Sequence, residues 1–108
     1  MPKAYAVVAY RSIPDPEKLA AYFKLAAAAV TPFGARILAR GTAAGVGEQG
    51  LKERTVTIEY PSVEMATAAY SSPAYADAFK ALGDVVRDFR IIEGLEQGSF
   101  HRAACAPA

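Results

Sequence analysis

Two hydrophobic periods alternate along this chain. Ala4 to Tyr10 is apolar, aromatic and β-branched, and predicts a first strand. Ser12 to Pro14 supplies a turn, after which Asp15, Pro16 and Glu17 stand as N-cap, first helical residue and first-turn acid. Leu19, Tyr22, Phe23, Ala26 and Val30 then share one helical face, and Pro32 with Gly34 ends that helix. Ala35 to Arg40 alternates as a short second strand. Gly41 to Lys52 holds four glycines and predicts a loop. Arg54 to Tyr60 alternates again as a third strand. Pro61 and Ser62 stop it, and Ser62 caps a helix running to about Tyr70. Ser71-Ser72-Pro73 breaks and restarts that helix, and Tyr75, Phe79, Leu82 and Val86 carry its apolar face onward. Phe89 to Glu93 is a fourth strand closed by Gly94.

The order β-α-β, β-α-β is the split βαβ, ferredoxin-like arrangement, an α+β fold with a four-stranded antiparallel sheet and its helices on one face. The single domain is expected over residues 1–95, with 96–108 as an aperiodic C-terminal tail. The sheet face without helices must be covered by something, and a second copy of the chain is the expected cover.

Alternation also sorts side chains by face. Val56, Ile58 and Tyr60 are expected toward the helices, with Ile37 beside them from the second strand. Thr55, Thr57 and Glu59 are expected on the open face, and strict alternation from Ile37 adds Arg36, Leu38 and Arg40 to it. Alternation leaves the face of Glu93 unassigned. Leu38, with Phe89 or Ile91, gives the open face its expected apolar content. Two readings of the charged set stand side by side. In one, Arg36, Arg40, Glu59 and Glu93 are cross-strand ion pairs near solvent, each contributing little. In the other, Arg36 and Arg40 grip a small carboxylate or phosphate beside Thr57 and Glu93, and Glu59 is the candidate catalytic base.

Composition narrows the partners. The 108 residues carry a net charge of +1 and no charged run, which argues against a nucleic-acid or membrane-surface footprint. The 53% hydrophobic content can build a core, but so short a chain buries little surface alone, which also favours a homodimer. The apolar run of the first strand is too short for a signal h-region or a membrane span. One cysteine, Cys105, fits a cytoplasmic location. With one histidine, His101, and no ligand spacing, no metal site and no cofactor are expected, haem included. The glycines match no phosphate-binding or dinucleotide pattern.

Four blocks in order carry a family resemblance. They are Gly34-Ala35-Arg36-Ile37-Leu38-Ala39-Arg40-Gly41, Ile58-Glu59-Tyr60-Pro61-Ser62, Tyr70-Ser71-Ser72-Pro73-Ala74-Tyr75 and Ile91-Ile92-Glu93-Gly94. Together they resemble the small bacterial family DUF1330 across about residues 3 to 95. The resemblance implies the dimeric α/β-barrel superfamily, in which two sheets meet face to face and each half encloses a cavity. It also implies relatives among cofactor-free monooxygenases, lactone isomerases and haem enzymes, without assigning a reaction. Two positions depart from the family pattern: Ala69 stands where a tryptophan is frequent, and Ala35 where a second glycine is usual. The expected activity is that of a cofactor-free enzyme on a small organic acid or carbonyl compound. The alternative is a non-catalytic binder or structural homodimer.

Overall fold

A computed structural model describes residues 2–95. The elements run β1 (Ala4–Ser12), α1 (Pro16–Val30), β2 (Arg36–Thr42), β3 (Arg54–Tyr60), α2 (Val63–Tyr70), α3 (Pro73–Leu82) and β4 (Val86–Glu93). The antiparallel sheet has strand order β2-β3-β1-β4, which is the ferredoxin-like order. Among the described residues, no helix is long and apolar enough to cross a membrane.

The helix starts follow their local chemistry. The Asp15 carboxylate accepts hydrogen bonds from the Glu17 and Lys18 amides, and the Ser62 and Ser72 hydroxyls accept from the Met65 and Tyr75 amides. Each satisfies donors that the first turn leaves unpaired. After α1 a 3-10 turn over Thr31–Phe33 reaches Gly34, whose left-handed φ of 83° turns the chain into β2.

The core lies between sheet and helices. Ala4, Ala6, Val8 and Tyr10 from β1 and Val56 and Tyr60 from β3 are buried there, against Leu19, Tyr22, Ala26, Ala29 and Val30 of α1 and Ala66, Ala69, Tyr75, Ala78 and Leu82 of α2 and α3. Small residues dominate α2 and the start of β1, so these backbones approach closely. The bulk is supplied by aromatic rings instead.

Two register features depart from strict alternation. A bulge between Ile37 and Ala39 leaves Leu38 without a partner, so Ile37 pairs with Ile58 but Arg40 pairs with Val56. The extra residue shifts the parity of everything after it. The expected placement of Arg40 on the open face is thereby corrected: it shares the helix-side face with Val56. The second feature is that β4 begins at Val86, three residues before the expected start. Phe89 and Ile91 lie opposite Val8 and Ala6, on the helix side, and Ile92 opposite Tyr5 takes the open side. Glu93 pairs with Ala4 and also falls on the helix-side parity, at an exposed sheet end. The open face therefore carries Tyr5, Val7, Ala9 and Ile92, and neither Phe89 nor Ile91. His101 and Cys105 lie outside the described residues.

Candidate functional site

Ion pairing separates the two faces of the sheet. The carboxylates of Glu53, Glu59 and Asp88 belong to the open-side parity, and each is in an ion pair. Arg11 bonds both Glu53, at 2.6 Å, and Asp88. Arg90 adds a second cation 3.8 Å from Asp88. Lys3 lies 3.5 Å from Glu59, which also accepts a hydrogen bond from the Tyr5 hydroxyl at 3.4 Å. The helix side is the reverse. Arg40, Arg54 and Arg87 project there, and among the described residues none of them meets a carboxylate.

Arg87 is the most confined of the three. Its guanidinium donates hydrogen bonds to the Tyr22 hydroxyl at 3.1 Å and the Tyr75 hydroxyl at 2.6 Å. It sits 5.3 Å from the centres of the Tyr22 and Phe89 rings, 5.5 Å from Phe79 and 5.9 Å from Tyr10. The ring faces partly replace the water that a guanidinium loses on burial. That burial opposes its charge, but the Tyr22 and Tyr75 phenol oxygens outweigh it and hold the Arg87 pKa above its ordinary value. Arg87 is a permanent cation.

Around it the phenols form two bonded pairs. Tyr22 and Tyr75 share a hydrogen bond of 2.7 Å, and Tyr60 donates one of 2.7 Å to Tyr70. The Tyr70 ring packs edge-on against Tyr75 and Phe89, at 4.9 and 4.6 Å between centres. This cage borders two spaces. A narrow inner cavity of about 40 Å³ runs between α1 and the sheet, from Arg87 to Arg40. An open cleft of about 530 Å³ lies outside it, lined by Tyr70, Tyr75, Phe79, Val85, Val86, Arg87 and Phe89. The first holds little more than a water or two, whereas the second is of small-ligand size. Arg87 borders both.

Burial raises the pKa values of Tyr10, Tyr22, Tyr60 and Tyr70 above the ordinary 10.0. All four phenols are therefore neutral donors and acceptors at neutral pH. The inner cavity and the outer cleft are lined by no carboxylate and no histidine among the described residues. The site can polarise or hold an oxyanion, but these side chains provide no neutral-pH proton acceptor. One pH effect follows. A phenol whose pKa is raised by folding stabilises the protein fully below the unfolded value, and that contribution is lost as pH climbs through the folded value. Stability is expected to be insensitive to these groups up to about pH 10 and to fall steeply above it. Tyrosinate absorbance followed against pH should show part of the tyrosine signal appearing only with unfolding. A single non-cooperative titration of all six tyrosines near their ordinary pKa would contradict the buried cage.

Of the residues expected at a site, the structure keeps Arg36, Thr57 and Glu59 on the open face, with Arg36 directly opposite Glu59. It does not bring Arg40 or Glu93 to them. Arg87, Tyr22, Tyr70, Tyr75 and Arg54 were not among the expected site residues. Their one legible signal is that Arg87, Phe89 and Ile91 alternate, which places an arginine on an apolar face.

Order and register together define a ferredoxin-like α+β domain. The profile of a domain of unknown function, DUF1330, matches residues 3–95, and the chain belongs to that family. Among solved structures it is similar to a protein of unknown function from Rhodopseudomonas palustris, with 20% identity, a TM-score of 0.69, and 88% of this chain and 84% of that one covered. It is also similar to SnoaB, a cofactor-independent oxygenase from Streptomyces nogalater, with 12% identity, a TM-score of 0.61, and coverage of 90% and 97%. A third is a putative antibiotic biosynthesis monooxygenase from Caulobacter crescentus, with 18% identity, a TM-score of 0.55, and coverage of 88% and 92%. At these identities the likeness is one of fold. No curated protein matches the chain.

Proposed function

We propose that the protein binds a small organic acid or carbonyl compound in the cleft between its helices and sheet, and acts on it without a cofactor by stabilising its anionic form. The observation that carries this reading is Arg87, a confined guanidinium held by two phenols and four rings, with no carboxylate partner among the described residues. A carboxylate, enolate or phenolate supplies the missing charge, and Phe79, Val85, Val86 and Phe89 receive its apolar body. Donors already aimed at a developing oxyanion need no reorganisation when charge appears on it. That some proteins of this fold are oxygenases working without a cofactor is compatible with this chemistry. With no base in the cleft, the substrate must be acidic enough to ionise beside Arg87, or enter as an anion.

The working unit in this reading is a cytoplasmic homodimer joined through the open faces, where Tyr5, Val7, Ala9 and Ile92 supply apolar contact. Arg36, Thr57 and Glu59 then belong to the interface rather than to the substrate site. The covered area is expected to be on the order of 2,000 Å² or more.

The test is calorimetry and thermal shift on the full chain with substituted benzoates, phenols and short aliphatic acids, run beside light scattering at micromolar protein. Saturable binding of an acid with an apolar body, and a dimer mass, are the expected results. Absence of binding across the panel refutes the ligand reading, and a monomer mass refutes the dimer. Turnover of a bound compound separates the enzyme from the non-catalytic binder.

A further inference from the structure

At the end of the inner cavity away from Arg87 lies a second group of cations. Arg40 of β2 and Arg54 of β3 both approach the Phe23 ring of α1, with guanidinium carbons 5.4 and 4.8 Å from its centre. Their register explains the crowding. Arg40 pairs with Val56 and Thr42 with Arg54, so the two arginines are diagonal neighbours on one face of adjacent strands. Lys24, one residue along α1 from Phe23, lines the same open cleft of about 390 Å³, whose remaining walls are Ala20, Ala27 and Phe23 itself.

Nothing negative faces this group among the described residues. Glu53, the acid beside Arg54 in sequence, is turned to the other side and bonded to Arg11. The Arg54 Nε is buried and has no acceptor. Like charges on neighbouring strands are destabilising, and a buried donor left unpaired costs about 1–3 kcal/mol. The stacking on Phe23 offsets some of this but provides no acceptor and no counter-charge. A multiply charged oxyanion in the cleft would provide the counter-charge, bound through the outer nitrogens of the two guanidiniums.

We infer that Lys24, Arg40 and Arg54 form a second anion site, for a phosphoryl group, separate from the Arg87 cleft. Two forked guanidiniums and one ammonium match the several oxygens and near-double charge of a phosphate better than a single carboxylate. Phe23 with Ala20 and Ala27 gives an apolar shelf beside it, suited to the organic part of a phosphate ester. The site uses no residue of the Arg87 cleft, so it stands whether or not that cleft binds an acid. The bulge at Leu38 creates it, because without the parity shift Arg40 would lie on the opposite face from Arg54.

The experiment is calorimetric titration of the full chain with inorganic phosphate, phenyl phosphate and malonate at fixed ionic strength. One saturable phosphate site per chain is expected. Lys24→Glu should weaken it at least ten-fold; Lys24 is exposed on α1, so this change leaves the core intact. Arg54→Gln and Arg40→Gln should do the same, and Arg87→Met should leave it unchanged. Tighter binding of phenyl phosphate than of phosphate identifies an ester as the natural occupant, and equal binding identifies the free ion. Malonate binding as tightly as phosphate overturns the phosphoryl assignment. No saturable phosphate binding, or binding indifferent to Lys24→Glu and Arg40→Gln, overturns the site. Loss of phosphate binding in Arg87→Met would show that the two clefts are one.

Discussion

Replacing Arg87 by methionine is expected to weaken acid binding in the outer cleft at least ten-fold while leaving the protein folded. A hydrogen bond to a charged group contributes roughly 1.5–3 kcal/mol. Removing the guanidinium should therefore weaken an anchored carboxylate by about ten-fold for each 1.4 kcal/mol lost. Methionine fills the aromatic cage with an unbranched apolar chain, and sulfur packs well against ring edges. The Tyr22 and Tyr75 hydroxyls keep their mutual 2.7 Å hydrogen bond, so neither is orphaned. Arg87→Lys should recover part of the affinity, since it restores the charge but not the fork that bridges two phenols. If Arg87 is instead a structural strut, the methionine variant will melt earlier and bind the acid as wild type does. That pair of results would remove the ligand role.

A loss of stability of comparable weight is expected at Gly34. Its φ of 83° lies in the left-handed region, and a Cβ built there would stand 2.7 Å from the Pro61 Cγ and 2.9 Å from its Cδ. Neither obstacle can swing away. The proline ring is rigid, and it is joined to Tyr60 in the core and to Ser62, whose hydroxyl caps α2. Left-handed backbone at a non-glycine residue costs of order 1–3 kcal/mol and overpacking typically adds as much, so Gly34→Ala should cost about 2–6 kcal/mol. In a domain of this size that lowers Tm by on the order of 10 °C or more. Gly41 is the control, since nothing lies within 4 Å of a Cβ built there. Thermal unfolding of Gly34→Ala and Gly41→Ala side by side measures the difference, and equal Tm values would show that the corner yields.

Much of the fold is local chemistry written in order along the chain. Asp15, Ser62 and Ser72 each precede a helix and each caps it, because a side-chain oxygen two or three residues before an unpaired amide finds that amide whatever the rest of the chain does. The third strand sorted correctly by face for an equally local reason: Arg54 to Tyr60 is an unbroken alternation with no bulge in it. Four strands, the interrupted second helix and the ferredoxin-like order follow from such signals, and the family blocks sit on the same elements.

The site belongs to the other category. Whether Arg40 faces the helices or the open side turns on one unpaired residue, Leu38, and a bulge is a property of how two strands pair rather than of either strand alone. Arg87 was hidden because Val86 continues the helical period of Tyr75, Phe79 and Leu82, and only pairing opposite Ser12 and Tyr10 draws Val86 and Arg87 into β4. Tyr22 and Tyr75 read as core by spacing and are core by burial. That their hydroxyls converge on one guanidinium depends on α1, α3 and β4 meeting in space, across sequence separations of 65 and 12 residues. Sequence periodicity determined which residues could be buried; only the packed chain decided which charges were left there without partners, because ion pairing is settled by three-dimensional neighbours.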